Sequence, residues 1–440
     1  MIEFLWIFGI FDAGVLLLLL VEVLRRGRTG LRARPPRTHL PAAFWMALLC
    51  VSYAAQLALL WFAAAHQASG HAAGGVPLPL IGPVVERQNA VVLAMLILGA
   101  VQTFALLQVY RNRDGDRLLY ACAGLLAVLS LCSPAMISAD AYAYLGDAAL
   151  GLKAYDPTAS PLTGTLAPIA AWWPSLPPAP YGPLFLAAVW AVTAPFASLL
   201  SKVMALRALG LAALAIVVTS LRAMGLPPRT IAIAALNPAL YFQYVAGAHN
   251  DVLGIAPVLL AAAIASRRPL FAGALVLAGG LVKLPFAILG LPALARVRSQ
   301  RLKLALCLAI PVLALALSWW AGGEGFVRSL IPHLHTTAVM ALLGGLVALA
   351  TLATIVAALV RRRYASAFVW LAPLASAYTC AWYAIWGLPY AVARRRIAGY
   401  LLVALPLATI LVEVKFMTAW SLFFVVPAIF AWQILRERPA

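Results

Sequence analysis

Acidic side chains are scarce in this sequence, with 13 Asp and Glu among 440 residues. Charged residues make up only 10% of the chain, whereas an average soluble domain holds about 25%. Hydrophobic residues make up 65%, and the mean hydropathy is +0.97. Apolar runs close to the roughly 20 residues that cross a bilayer recur from end to end. This composition excludes a soluble globular protein. It predicts an all-α polytopic integral membrane protein, a single domain over 1–440 with about 12–14 transmembrane helices.

Several other signals are missing. The five cysteines lie in apolar segments without a CxxC spacing, so we interpret them as small core residues rather than disulfides or metal ligands. The sequence holds no Gly-rich phosphate loop, HExxH, GxSxG or EF-hand pattern. These absences exclude the nucleotide-, zinc- and calcium-dependent classes that such motifs mark, and we expect no metal or other cofactor.

Basic residues are abundant but confined to short clusters between apolar runs, and they give a formal net charge of +19. The clusters lie at 25–37, 111–117, 267–269, 296–303, 361–364, 394–396 and 436–439. Such spacing is typical of cytoplasmic loops, whereas a nucleic-acid-binding surface interleaves basic and aromatic residues. The sequence therefore predicts the lipid bilayer as a partner, and no nucleic acid.

Placing these clusters in the cytoplasm predicts the membrane topology. The predicted spans are 8–24, 41–65, 88–110, 118–135, 229–247, 252–266, 270–282, 285–296, 304–321, 338–360, 365–383, 386–393, 397–412 and 417–434. Several are short, so broken or re-entrant helices are expected there. Residues 183–221 resemble two spans, although the charge pattern requires an odd number of crossings there. Either one of the two does not cross, or residues 221–229 lie outside, and the sequence leaves that choice open. Two external loops remain, 136–182 and 322–337; a loop as long as the first is usually functional.

Most of the unusual polar residues fall on the predicted external side. The first loop and its end carry Asp140, Tyr142, Tyr144, Asp147 and Tyr181. Elsewhere on this side stand His249, Asn250, Asp251, Lys283, Arg328, His333 and His335. Because an ionisable group in a membrane protein is costly unless it serves a function or has a partner, we predict that this face holds the chemistry.

The two aspartates of the first loop each allow two interpretations. Asp140 precedes a stretch with helical spacing, so it suits a helix N-cap and also a catalytic base that takes a proton from a hydroxyl acceptor. Asp147 lies two helical turns further on and would share a face with Asp140. A solvated helix face explains Asp147 equally well.

The remaining polar residues are also ambiguous from sequence. Lys283 suits either a snorkelling lysine at a helix end or a counter-charge for a lipid phosphate. Arg328 suits a bidentate phosphate ligand or a partner for Glu324 four positions earlier. The pair at 333 and 335 has no cysteine or carboxylate nearby and is weak as a zinc site. The consecutive residues 249–251 suit hydrogen bonding to a sugar or locking of the external loop.

Four stretches together resemble a known family. They are "DAYAYLGDAALGLKAYDP", "PAPYGPLFL", "NPALYFQYVAGAHND" and "GGLVKLP", which occur in this order between Asp140 and Pro285. The chain resembles the polyprenyl-phosphate-mannose-dependent mannosyltransferases of the GT-C superfamily, and among them the actinobacterial α-1,6-mannosyltransferases. The resemblance is carried by about a third of the chain and extends more loosely through "WYAIWGLP" at 382–389.

This resemblance implies a GT-C fold with the active site on the outer face of a bacterial cytoplasmic membrane. It implies inverting transfer of mannose from a polyprenyl-phosphate sugar to a glycan or glycolipid acceptor during cell envelope glycan biosynthesis. The family's first-loop aspartate corresponds to Asp140, which would be the general base, followed by Tyr142 and Tyr144. Lys283 would then neutralise the donor phosphate. Arg328 is added as a second phosphate ligand because of the chemistry of its guanidinium, and not because it matches a family motif. The substrate contacts are expected from Tyr142, Tyr144, Asp147, Tyr181, His249, Asn250, Asp251 and His333.

Two alternatives stay open at this stage. The donor could carry another sugar, such as glucose, arabinose or aminoarabinose. The chain could instead be a transporter or flippase for a lipid-linked sugar. A transporter would place its ionisable groups near the bilayer midplane in both halves, whereas here they lie at helix ends on one side. That placement favours the enzyme.

Overall fold

A computed structural model describes residues 40–71, 89–111, 116–133, 140–156, 163–171 and 176–330, with scattered positions within 349–360 and 403–410. Predicted spans at 8–24, 365–383, 386–393 and 417–434 lie outside these ranges, as do His333 and His335. In the described part every regular element is a helix, which confirms the all-α prediction.

The helices are named here in chain order. They are α1 (Ala42–His71), α2 (Asn89–Arg111), α3 (Asp116–Leu131), α4 (Asp140–Leu150), α5 (Pro183–Thr193), α6 (Leu199–Ala223), α7 (Pro228–Ala235), α8 (Pro238–Tyr241), α9 (Asp251–Ile264), α10 (Pro269–Val282), α11 (Phe286–Leu289) and α12 (Gln300–Leu330). Short 3₁₀ turns occupy Gly151–Tyr155, Gly164–Ala171 and Leu291–Arg296, and one turn of π-helix occupies Phe242–Ala246.

Four helices of the described ranges are long and apolar enough to cross a membrane. They contain Ala42–Phe62, Leu93–Tyr110, Leu199–Ala223 and Gln300–Leu330. On α12, Leu304, Leu308 and Val312 are each more than 60% exposed and repeat every four residues, which places them on one face. An exposed apolar face of this kind is stable against lipid and unfavourable in water. The chain is a polytopic membrane protein.

Two predicted spans are broken. The span expected over 229–247 consists of α7, α8 and the π-turn, because Pro238 cannot continue the preceding helix and begins a new one. Asn237 caps that start, its side chain accepting a hydrogen bond from the Ala239 amide at 3.1 Å. The span expected over 285–296 is likewise divided into α11 and a 3₁₀ turn. The 183–221 segment holds the short α5 and the long α6; by length only α6 suits a full crossing.

The predicted external loops contain more helix than expected. The start of the first loop forms α4 and the adjoining 3₁₀ turn, as the helical spacing of "AYAYLGDAALGLKAY" predicted. The prediction that 322–337 is loop throughout was wrong for its first part, since α12 continues to Leu330 across a kink at Gly323, where φ is 53°. Glycine tolerates that positive φ, so the helix is interrupted at Gly323 and a second helical stretch continues to Leu330.

Helices α9 and α10 form the centre of the described core, and α6 packs against α9. The ends of α3, α4, α9 and α10 meet at one side of this centre, and these ends carry most of the polar residues singled out above.

Candidate active site

Two predicted site residues from different motifs meet in the fold. The Asp140 carboxylate oxygen Oδ2 lies 3.5 Å from Nδ1 of His249. The His249 side chain is fully buried, whereas 23% of the Asp140 side chain remains exposed. Asp140 is the first residue of α4, where the helix dipole favours a negative charge. A partly accessible carboxylate held beside an imidazole is a suitable arrangement for accepting a proton.

The backbone before His249 has an unusual conformation. The π-turn Phe242–Ala246 adds a residue to the helical turn, and such π-bulges often occur at functional sites. Ala248 then adopts a positive φ of 53°, which is costly for a residue with a side chain. The His249 amide donates to the Gln243 carbonyl at 3.1 Å and closes the turn. The turn thus directs His249 inward before α9 begins.

Arg207 of α6 holds the two segments that lead to this pair. Its Nη1 donates to the carbonyls of Leu131 and Ser133, at 3.0 and 2.8 Å. Its Nε and Nη2 both donate to the Ala246 carbonyl, at 3.2 and 2.9 Å. The residue is 1% exposed. Sequence reasoning missed Arg207, which lies in an apolar helix outside every basic cluster; that position was the available signal.

A second pair joins two helix ends, and one of its members, Asp251, lies two residues after His249 in the sequence. Nζ of Lys283, which follows α10, donates to Oδ1 of Asp251, the first residue of α9, at 2.8 Å. The Asp251 side chain is 0% exposed and that of Lys283 is 11% exposed. The interpretation of Lys283 as a snorkelling lysine was therefore wrong, because its ammonium is directed into the protein.

Asn250 stands between the two pairs. It is 1% exposed, and neither Nδ2 nor Oδ1 of its side-chain amide has a hydrogen-bond partner among the residues that the structure describes. Leaving a buried amide unsatisfied costs about 1–3 kcal/mol. A polar ligand at this position would remove that cost. All three consecutive residues 249–251 are buried within the protein.

The aromatic residues of the first loop pack against "PYGPL". The ring of Tyr144 meets those of Tyr181 and Phe185 edge to face, each with centroids 5.2 Å apart. The Tyr155 hydroxyl donates to the Tyr181 carbonyl at 2.8 Å. The Gly182 amide donates to the Val282 carbonyl at 3.0 Å, directly before Lys283. The loop end is thereby attached to the helix end that presents the lysine.

Asp147 does not lie on a solvated helix face; that interpretation was wrong. It is 3% exposed, and its Oδ1 has no hydrogen-bond partner within the described ranges. Burial raises the pKa of this carboxyl well above its ordinary value, because a charged carboxylate loses its hydration there. Burial, and then the nearby Asp147 charge, also raises the pKa of the Tyr155 phenol. Tyr142, also predicted here, is buried on the same helix.

Arg328 lies in a different environment from Lys283. It is on α12, and its Nε and Nη2 donate to Oε1 of Glu324 at 3.0 and 2.7 Å, with both side chains largely exposed. This is the pairing with Glu324 that the sequence left open. The pair borders a cavity of about 250 Å³ that is also lined by Tyr155 and Asp156. None of the residues lining this cavity belongs to the Asp140–His249 or Asp251–Lys283 pairs.

The structure therefore brings together Asp140 with His249 and Asp251 with Lys283, and it packs Tyr144 against Tyr181. His333 lies outside the described residues. Within the described ranges, no three His, Cys, Asp or Glu side chains are close enough to hold a metal ion.

Comparison with known proteins identifies the family. A family model described as "Alpha-(1->6)-mannopyranosyltransferase, N-terminal domain" matches residues 40–300, which is more than half of the chain. A Mycolicibacterium smegmatis protein named probable alpha-(1->6)-mannopyranosyltransferase is 30% identical over 226 residues; the match covers 45% of this chain and 40% of that relative's length. No solved structure matches the chain. The matched region contains both polar pairs, and the chain belongs to the α-(1→6)-mannopyranosyltransferase family.

Proposed function

We propose that this chain is a membrane glycosyltransferase that moves mannose from polyprenyl-phosphate-mannose to a glycan or glycolipid acceptor, with inversion at the anomeric carbon. The observation that carries the proposal is the contact between Asp140 and His249. It joins the first-loop motif to the "GAHND" motif inside the region that matches the family. Family membership supports the sugar and the reaction class, and the geometry supports the place of the chemistry.

Asp140 is the proposed general base. Its carboxylate takes the proton from an acceptor hydroxyl as that oxygen forms a bond to the anomeric carbon. The bond between that carbon and the phosphate oxygen breaks, and polyprenyl phosphate leaves with the electron pair. Attack opposite the leaving group converts a β-linked donor into an α-linked product. General-base assistance of this kind contributes about 10² to 10⁴ in rate.

His249 orients the base in this scheme. Its Nδ1, 3.5 Å from Oδ2, restricts the position of the Asp140 side chain. The remaining exposed fraction of Asp140 is the surface that the acceptor hydroxyl would approach. Asn250, whose buried amide has no protein partner in the described ranges, is proposed to bind a hydroxyl of the sugar.

The leaving phosphate requires positive charge. We assign that role to Lys283, whose ammonium lies at the end of α10 and is held by Asp251. Arg328 is the second proposed phosphate ligand. A guanidinium has five N–H donors, and Glu324 accepts hydrogen bonds only from Nε and Nη2. The remaining N–H groups can bind a phosphate oxygen while the pair with Glu324 is kept. Metal-independent departure of the phosphate remains our expectation.

The other predicted contacts are proposed around this centre. Tyr142, Tyr144 and Tyr181 are proposed as the aromatic side of the sugar site, and Asp147 and Asp251, which are both buried, are proposed as further substrate contacts. His333 keeps its proposed role in binding substrate. We place the site on the extracytoplasmic face of a bacterial cytoplasmic membrane, because the basic clusters fall at the opposite helix ends.

The proposal is tested with the purified full-length chain and short-chain synthetic donors. Polyprenyl-phosphate-β-mannose is compared with the matching glucose and arabinose donors on a panel of mannoside acceptors, and the anomeric configuration of the product is read by NMR. We expect transfer from the mannose donor with an α-linked product. Transfer from a different sugar donor would overturn the assignment of mannose. A β-linked product would overturn the inverting mechanism, and donor binding without any transfer would favour a transporter.

A further inference from the structure

The strongest unassigned feature of the described residues is the buried guanidinium of Arg207. It makes four hydrogen bonds to three backbone carbonyls. Two of these, Leu131 and Ser133, lie at the end of α3, where carbonyls lack helical partners. The third, Ala246, ends the π-turn. One side chain from α6 therefore joins the ends of two other elements.

The candidate base and its partner follow these two ends in the sequence. Residues 134–139 connect Ser133 to Asp140, and Gly247 and Ala248 connect Ala246 to His249. Burial raises the pKa of the Tyr142 phenol, two residues after Asp140, and the charge of Arg207 opposes that rise. Arg207 thus contacts a segment that precedes each member of the pair, although it lies on neither motif.

The residue type suits this task. A guanidinium is planar and presents its donors in a fixed fork, so it can bind carbonyls from two segments in one geometry. A lysine ammonium is a compact point charge on a flexible stem and does not impose that geometry. Burial of a cation that is not hydrogen-bonded would be very unfavourable. The buried guanidinium is therefore stable only while it makes these four hydrogen bonds. They form only when the two segments lie at the observed spacing.

We propose that Arg207 is a positioning residue that fixes the distance between Asp140 and His249. It acts through the backbone ends at Ser133 and Ala246 and does not touch the substrate. The inference deepens the proposed function and rests on it for its kinetic test.

The kinetic test is a double-mutant cycle in sugar transfer. We expect Arg207→Gln to lower kcat about 100-fold, as for a misplacement of reacting groups by about 1 Å, while the KM for the donor changes less than about threefold. In a His249→Ala background, Arg207→Gln should cost less than about a further threefold, because the pair is already lost. Arg207→Lys should resemble Arg207→Gln. Arg222→Gln, on the same helix but exposed, should leave kcat unchanged.

Two results would overturn the inference. One is a folded Arg207→Gln protein with kcat within about twofold of wild type. The other is a loss of kcat that is fully independent of His249→Ala. If Arg207→Gln does not fold, Gly210→Ala takes its place. A Cβ at Gly210 would meet the Tyr244 carbonyl and displace the π-turn, so the same loss of kcat at constant KM is expected. Wild-type kcat in a folded Gly210→Ala protein would then contradict the inference.

Hydrogen exchange separates this inference from the proposed function, because it needs no activity. Amides in peptides that cover 121–133 and 241–251 should exchange at least about tenfold faster in Arg207→Gln than in wild type, and Arg222→Gln should not differ from wild type. Unchanged exchange would overturn the role of Arg207 even if the enzyme is active. Faster exchange in a protein that transfers no sugar would overturn the proposed function and leave the Arg207 connection in place.

Discussion

Nζ of Lys283 lies 2.8 Å from Oδ1 of Asp251, and the Asp251 side chain has no solvent exposure. The two residues begin and end neighbouring helices, so the ion pair joins the start of α9 to the end of α10 at the point where the phosphate is proposed to bind. Loss of either partner would leave the other charge buried and uncompensated.

The first prediction follows from that pair. Lys283→Met and Asp251→Asn should each lower the free energy of unfolding by about 3–5 kcal/mol, the usual cost of breaking a buried ion pair. The double variant should be more stable than Lys283→Met, since no buried charge then remains alone. Denaturant unfolding in detergent, followed by tryptophan fluorescence, measures all three. Lys153→Met, at an exposed lysine, is the control and should change little. Strictly additive losses in the double variant would contradict the pairing.

A second prediction concerns the attachment of the first loop. A Cβ at Gly182 would meet the backbone of Leu281, which leaves no room for any side chain. Gly182→Ala should therefore separate the loop end from Val282, destabilise the protein and reduce sugar transfer. Gly124→Ala is the matched control, since a Cβ there meets nothing within 4 Å. In a helix interior, alanine should stabilise by up to about 1 kcal/mol. Equal thermal stabilities of the two variants would refute the close contact.

A third prediction concerns pH. The pKa of Asp147 in the folded protein is raised by burial above its ordinary value of 3.8. At pH values between the ordinary pKa and the raised pKa, the Asp147 carboxyl is protonated in the folded protein and ionised in the unfolded protein. The free energy of unfolding therefore falls as pH rises from about 4 to the folded pKa, and it is constant above that. Asp147→Asn remains neutral and should flatten this decline.

Thermal unfolding measured from pH 4 upward checks this prediction. Asp156→Asn serves as the control, because Asp156 is exposed and should keep the wild-type slope. An Asp147→Asn protein with the same slope as wild type would show that the buried carboxyl does not titrate as proposed.

The sequence predicted the helical class, and it singled out most of the polar residues that the structure brings together, because both depend on residue type. An ionisable group in an apolar chain is costly unless it has a partner or a function, and this cost singled out Asp140, His249 and Lys283. The sequence did not predict which of them are partners. Asp251 pairs with Lys283 through the packing of α9 on α10, and no local pattern encodes that pairing.

The other missed features differ in their cause. The break at Pro238 has a local signal, the Asn-Pro dipeptide, which marks the start of a new helix. The remaining features arise from tertiary contacts. The burial of Asp147 depends on the elements that pack against α4, and the sequence does not show which elements those are. The role of Arg207 depends on carbonyls at Ser133 and Ala246, and backbone groups carry no sequence signal.

The central claim is that Asp140 removes the proton of the acceptor hydroxyl. The most direct measurement is the rate of mannose transfer from synthetic polyprenyl-phosphate-mannose by Asp140→Asn, with donor binding measured in parallel and Arg222→Gln, at an exposed position outside the site, as the control. The account predicts a loss of about 10² to 10⁴ in kcat, with donor affinity retained and the control unaffected. Transfer by a folded Asp140→Asn protein within about tenfold of the wild-type rate would contradict it.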